Sequence, residues 1–120
     1  MKIELSWPDP KLSPNARCHW AILSRVKKKY RLDSWVRTLE QVGQLGFLGV
    51  PDGPLILEMT FYRPTRRSYD RDNLLARCKA GLDGMCDALR IDDKRFATVV
   101  VKVAEEIGGY VEVKISEETK

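Results

Sequence analysis

Between Arg66 and Phe96 the chain sets acidic residues inside a basic stretch. Asp70 and Asp72 stand two residues apart, with Asn73 next, amid Arg66, Arg67, Arg71, Arg77 and Lys79. A second acidic pair, Asp92 and Asp93, follows one helix later. Carboxylate oxygens suit hard divalent cations such as Mg²⁺ or Mn²⁺, and Arg and Lys suit phosphate. Together they could cut a phosphodiester. A metal held by two or three carboxylates polarises the phosphate, activates water and stabilises the leaving oxygen. Lys79 could stabilise the transition-state charge or orient water, and Asn73 could hold a carboxylate or metal-bound water from outside the ligand set. The same acids have a plainer use as helix caps, where Asp satisfies free N–H groups and favours the dipole.

The elements that must position these residues follow from patterning. A helix is expected from about Asp70 to Leu89, with Leu75, Cys78, Leu82, Met85, Cys86 and Leu89 as its apolar stripe. At about 100° per residue, Lys79 and Asp83 each lie within about 20° of Asp72, so one face carries all three. Gly81 and Gly84 cost that helix roughly 1 kcal/mol each relative to Ala, which implies close packing against another backbone or a helix end near Gly84. Lys2 to Trp7 alternates as a half-buried strand, and Pro8, Pro10 and Pro14 impose a loop. A long helix is expected from an Asn15 N-cap to Val42, weakest at Asp33-Ser34. Its apolar stripe is Trp20, Leu23, Val26, Tyr30, Leu32, Trp35, Leu39 and Val42, and its other face holds Arg25, Lys27, Lys28, Lys29 and Arg31. That basic face is either a ridge for phosphates or simply solvated. Leu55 to Tyr62 alternates as a strand, followed by a basic loop to Tyr69. Phe96 to Glu105 is a further strand, its Val99-Val100-Val101 run suggesting burial on both faces. Gly108-Gly109 reads as a hairpin turn into a last strand, Tyr110 to Ser116. The order β-α-β-α-β-β describes an α+β domain, a four-stranded mixed sheet covered mainly on one side by two main helices.

At 120 residues the chain fits one domain. A net charge of +4 and a pI near 9.0 are compatible with nucleic acid without requiring it. The distribution is more telling. Lys11 to Glu40 holds eight Lys/Arg against two acids, whereas from Val101 onward there are three Lys against five Glu. Cys18, Cys78 and Cys86 form no metal spacing and no disulfide framework, and read as small buried hydrophobes in a reducing compartment. No signal peptide and no membrane-length apolar run is seen, so a cytoplasmic protein with no membrane partner is expected. His19, the lone histidine, reads as a packing or hydrogen-bonding residue.

Asp70-Arg71-Asp72-Asn73-Leu74, Lys79-Ala80-Gly81-Leu82-Asp83 and Ile91-Asp92-Asp93-Lys94-Arg95-Phe96 resemble the RusA family of Holliday junction resolvases, above all its phage and prophage versions. Trp7-Pro8 followed by Ser13-Pro14-Asn15 resembles that family's N-terminal pattern. The resemblance implies a homodimeric, Mg²⁺-dependent endonuclease, with Mn²⁺ as a substitute, that cuts four-way DNA junctions in recombination and repair. It implies Asp70, Asp72 and Asp93 as catalytic metal ligands and Lys79 as the catalytic cation. The family's lysine usually sits three residues after the Asn, where this chain has Ala76, and Lys79 is three residues further along on nearly the same face. Asp92, Asp83 and Asn73 are expected to support the ligands. Arg66, Arg67, Arg71, Arg77, Lys27, Lys28, Lys29 and Arg17 are the candidate DNA contacts. No small-molecule cofactor is expected.

Other chemistries fit less well. An Asp-x-Asp phosphatase of the haloacid-dehalogenase type needs a larger doubly wound domain and usually Thr or Val where Leu74 stands. A Pro-Asp…Glu-x-Lys nuclease would use Asp52 and Glu58, but Thr60 replaces its lysine. An EF-hand fails for want of its Gly and terminal Glu. A branched-DNA binder that does not cut is the remaining alternative.

Overall fold

In a computed structural model describing residues 1–119, the elements run β1 (Lys2–Ser6), α1 (Trp20–Val42), β2 (Leu55–Tyr62), α2 (Arg71–Leu89), β3 (Phe96–Val103) and β4 (Tyr110–Glu117). The four strands form one mixed sheet in the order β1-β4-β2-β3, which makes the chain an α+β domain. Period-2 alternation decides which face is covered. Leu55, Leu57, Met59 and Phe61 of β2, Val111, Val113 and Ile115 of β4, and Ile3 and Leu5 of β1 are buried together with Leu74, Cys78, Met85 and Leu89 of α2. Both helices therefore lie on one face, and the other carries Lys2, Glu4, Glu58, Lys102, Glu112 and Lys114. No helix among the described residues is long and apolar enough to cross a membrane.

β2 and β3 are parallel, joined by α2, while β4 runs antiparallel between β1 and β2. The glycines at 108 and 109 thus make no hairpin, because β3 and β4 are not neighbours. Their connection passes over the end of β2, with the N–H of Ala104, Gly108 and Gly109 donating to the carbonyls of Phe61, Arg63 and Tyr62. Gly109, at φ 82°, supplies the left-handed residue this path needs. β3 also departs from the expected two-sided burial. It lies at the sheet edge, and Val99 is 46% exposed.

α1 starts at Trp20 rather than at Asn15. His19 caps it, its Nδ1 accepting from the Ala21 N–H at 3.2 Å. The helix runs unbroken through Asp33-Ser34. The face it buries is made of Tyr30, Ser34 and Thr38, while Leu32 is 61% and Trp35 41% exposed. Large apolar residues set the periodicity, but close approach to α2 selects small ones. A Cβ on Gly84 would stand 2.1 Å from the Arg31 carbonyl oxygen, and one on Gly81 2.5 Å from the Tyr30 ring. The two glycines are there for helix contact, and α2 continues past both to Leu89. Tyr30 completes the joint by donating to the Ser6 carbonyl at 2.7 Å.

Candidate functional site

Asp70 starts α2. It sits just outside the helix in extended conformation, and its Oδ1 accepts from the N–H groups of Asp72 (2.8 Å) and Asn73 (3.3 Å). Such a cap contributes about 1 kcal/mol. The helix ends at Arg90, which takes a left-handed conformation at φ 55° with its guanidinium 4.0 Å from the Phe47 ring centre. Between these ends, successive turns present Asp72, Lys79 and Asp83 to one side.

That side opens on a cavity of about 410 Å³ between α2 and the β2–β3 edge of the sheet. Leu57, Leu75, Leu82, Phe96 and Val99 give it an apolar lining, and Asp72, Lys79, Asp83 and Asp93 bring charge to it. Asp93 arrives from the turn before β3, where Asp92 caps a short 3₁₀ helix by accepting from the Lys94 N–H at 3.0 Å. That hydrogen bond, with Asp93 and the Lys94 charge, holds the Asp92 carboxyl below the usual carboxylate range. The negative potential registers on Cys86, which lines the same cavity. Burial, then the carboxylates of Asp83, Asp93, Asp87 and Asp92, push its thiol up to about 12.

Asp72, Lys79, Asp83 and Asp93 thus share one cavity. Asp70 and Asn73 line another, of about 380 Å³, with Arg67 and Ser68. Oxygen donors of this kind suit Mg²⁺. In this conformation, among the described residues, no three His, Cys, Asp or Glu side chains are gathered closely enough to hold a metal ion.

The basic residues divide. Arg17, Arg66, Arg67 and Arg71 are exposed beside the start of α2 or in the loop leading into α1. Lys27, Lys28 and Lys29 are exposed but fan around α1 rather than forming a ridge. Lys27 lines a further cavity of about 410 Å³ that also takes in Lys79 and Asp83, whereas Lys29 lines one with Trp7 and Asp33 on another side of the helix. Arg31 pairs with Asp87 of α2 at 2.8 Å.

Arg77 does not meet the expectation of a phosphate contact. It is 6% exposed, and its Nη2 donates to the Pro8 carbonyl at 2.7 Å. Its guanidinium lies 5.8 Å from the Trp7 ring centre and 5.6 Å from that of Tyr69. Trp7 in turn meets Phe61 edge-on. This clamp ties the first turns of α2 to the proline loop and to the sheet, and so positions Asp72 and Lys79. Its signal was in the sequence, since Arg77 lies on the helix face of Leu74 and Gly81. The cavity wall from Phe96 and Val99 had no such signal, because it depends on β3 lying beside β2.

No family model matches the sequence. A protein of Xylella fastidiosa described as uncharacterized is 42% identical over 97 residues, covering 80% of this chain. The chain spans 62% of that relative's length.

Proposed function

We propose that the protein is a Mg²⁺-dependent endonuclease that resolves four-way DNA junctions, working as a homodimer in the cytoplasm. The observation that carries this reading is the meeting of Asp72, Lys79, Asp83 and Asp93 on one cavity beside an arginine-rich loop. Bound Mg²⁺ would supply a Lewis acid for the phosphate and lower the pKa of water. Asp72 and Asp93, which line this cavity, would hold it, and Asp70 would join them from the helix start once its side chain turns from the neighbouring cavity it lines, since a carboxylate can cap with one oxygen and ligate with the other. Lys79 faces the same space and offsets charge that develops on the phosphoryl oxygens. Asp83, one turn beyond, lines the same cavity and adds negative charge beside Lys79. Arg66, Arg67 and Arg71 hold flanking phosphates and supply sequence-independent affinity.

A second reading is a branched-DNA binder that does not cut. It is supported by the capping roles of Asp70 and Asp92, which account for two of the acids without any metal. The phosphatase alternative loses its ground, because helices cover only one face of this sheet. Cleavage and gel-shift assays on a synthetic four-way junction separate the two DNA readings. Lys79→Ala and Asp72→Asn are expected to abolish Mg²⁺-dependent cleavage while retaining binding. Variants that cut as well as the wild type would remove the nuclease site from this cavity.

A further inference from the structure

The two edges of the sheet are treated differently. β1, at one edge, is five residues long, and Gln41 of α1 caps it: the amide accepts from the Glu4 N–H and donates to the Glu4 carbonyl, both at 2.7 Å. β3, at the other edge, is eight residues long, Phe-Ala-Thr-Val-Val-Val-Lys-Val, with β2 as its one strand neighbour among the described residues. The Ala104 N–H donates inward to Phe61, so by strand alternation the N–H and C=O groups of Val99, Val101 and Val103 point outward. The charge that would discourage pairing is missing. Lys102, the only charged residue of β3, is held by Glu58 on the neighbouring strand. A long, mostly apolar edge whose one charge is already paired within the subunit is normally covered. The helical layer does not cover it, and the cavity beside α2 is left open along β3 at Val99.

We propose that two copies of this chain join through β3, antiparallel about a two-fold axis perpendicular to the sheet, each strand closing the open side of the other copy's cavity. The backbone requires an occupant that is itself a strand, and β3 complements itself. In the register centred on Val100, Val99 of one copy lies opposite Val101 of the other, and Thr98 opposite Lys102. Residues with outward backbone groups then meet each other, their valines stay on the helical face, and no like charges oppose. A two-fold axis perpendicular to the sheet keeps both helical layers, and both cavities, on one side. This last advantage rests on the nuclease reading, because two cuts in a two-fold substrate need two sites facing it. The edge itself does not depend on that reading.

Sedimentation equilibrium at micromolar concentration tests the proposal on wild type, Val101→Pro, Val99→Lys and Leu32→Glu. The wild type should have twice the 13.8 kDa chain mass. Val101→Pro removes an outward N–H with no partner inside the subunit, a place where an edge strand tolerates proline, and Val99→Lys puts a charge at the seam. Each should weaken the dimer at least about 100-fold, as loss of strand addition implies, while Leu32→Glu on α1 leaves it intact. If circular dichroism finds Val101→Pro unfolded, Val99→Lys decides. A monomeric wild type, which would leave the edge to a foreign strand, overturns the proposal. So does a dimer that survives both β3 changes or is broken by Leu32→Glu alone. Junction cleavage separates this from the functional reading. Val101→Pro, which lies outside the cavity lining, should still nick with Mg²⁺ but lose pairing of the nicks, whereas an intact dimer that never nicks contradicts the nuclease and leaves this interface standing.

Discussion

Replacing Gly84 by Ala tests how α2, and with it the cavity face, is held. In an exposed helix the change would stabilise the protein by about 1 kcal/mol. Here the new Cβ would stand 2.1 Å from the Arg31 carbonyl oxygen, with the Arg31 carbonyl carbon at 3.0 Å and its Cα at 3.2 Å. Ordinary contact needs about 3.5 Å, so α1 and α2 must separate by roughly 1 Å or more. The obstacle is backbone within α1 and cannot turn aside like a side chain. Overpacking typically costs about 1–3 kcal/mol, and this geometry belongs at the upper end. After the propensity gain, a net loss of about 2 kcal/mol is expected, or roughly 8 °C in Tm for a domain of this size. Gly81→Ala meets the Tyr30 ring and Ser34 Oγ, which are side chains, and should cost less. Thermal melts followed by circular dichroism measure both. A Gly84→Ala protein that melts above the wild type would show that the helices are not in this contact.

Asp70→Asn should keep its cap and its Tm while abolishing cleavage, whereas Asp70→Ala should also lose about 1 kcal/mol of stability in melts without metal. Full activity in Asp70→Asn would leave the residue a cap alone. Arg77→Ala should lower Tm by several degrees, because it strands the Pro8 carbonyl and empties the space beside Trp7 and Tyr69. An unchanged melt would contradict the clamp. Cys78 and Cys86, whose thiols burial pushes up to about 11 and about 12, should resist iodoacetamide at neutral pH while the less buried Cys18 reacts, as mass spectrometry would show. The stability carried by these protonated thiols is intact below the ordinary thiol value of 9.0 and is lost as pH rises toward their folded values. Replacing Lys27 alone by Ala should flatten the salt dependence of junction binding more than replacing Lys28 or Lys29, because only Lys27 lines a cavity with Lys79.

Much of this arrangement is legible in the sequence. Leu-Ile-Leu-Glu-Met-Thr-Phe-Tyr of β2 alternates cleanly, and its buried set is the one alternation selects. The helical repeat put Asp72, Lys79 and Asp83 on one face, and all three line one cavity. What could not be read depends on contacts distant in sequence. Tyr30, Ser34 and Thr38 form the inner face of α1 because Gly81 and Gly84 allow α2 so close, and nothing near Ser34 announces that. The placement of β4 between β1 and β2 depends on a connection crossing the end of β2, which Gly108-Gly109 signals only as a turn. The place of Arg77 on the helix face of Leu74 and Gly81 marks it for burial, but its neighbours Trp7 and Pro8 lie some seventy residues away along the chain and cannot be read from that face.

The central claim is metal-dependent cutting at a branch. Purified protein incubated with an end-labelled four-way junction and with a duplex of the same sequence, each with Mg²⁺ and with chelator, tests it in one gel. Paired nicks placed symmetrically across the junction, absent with chelator and far weaker on the duplex, are the expected result. Binding without cleavage under Mg²⁺ or Mn²⁺, or equal cutting of junction and duplex, would contradict it.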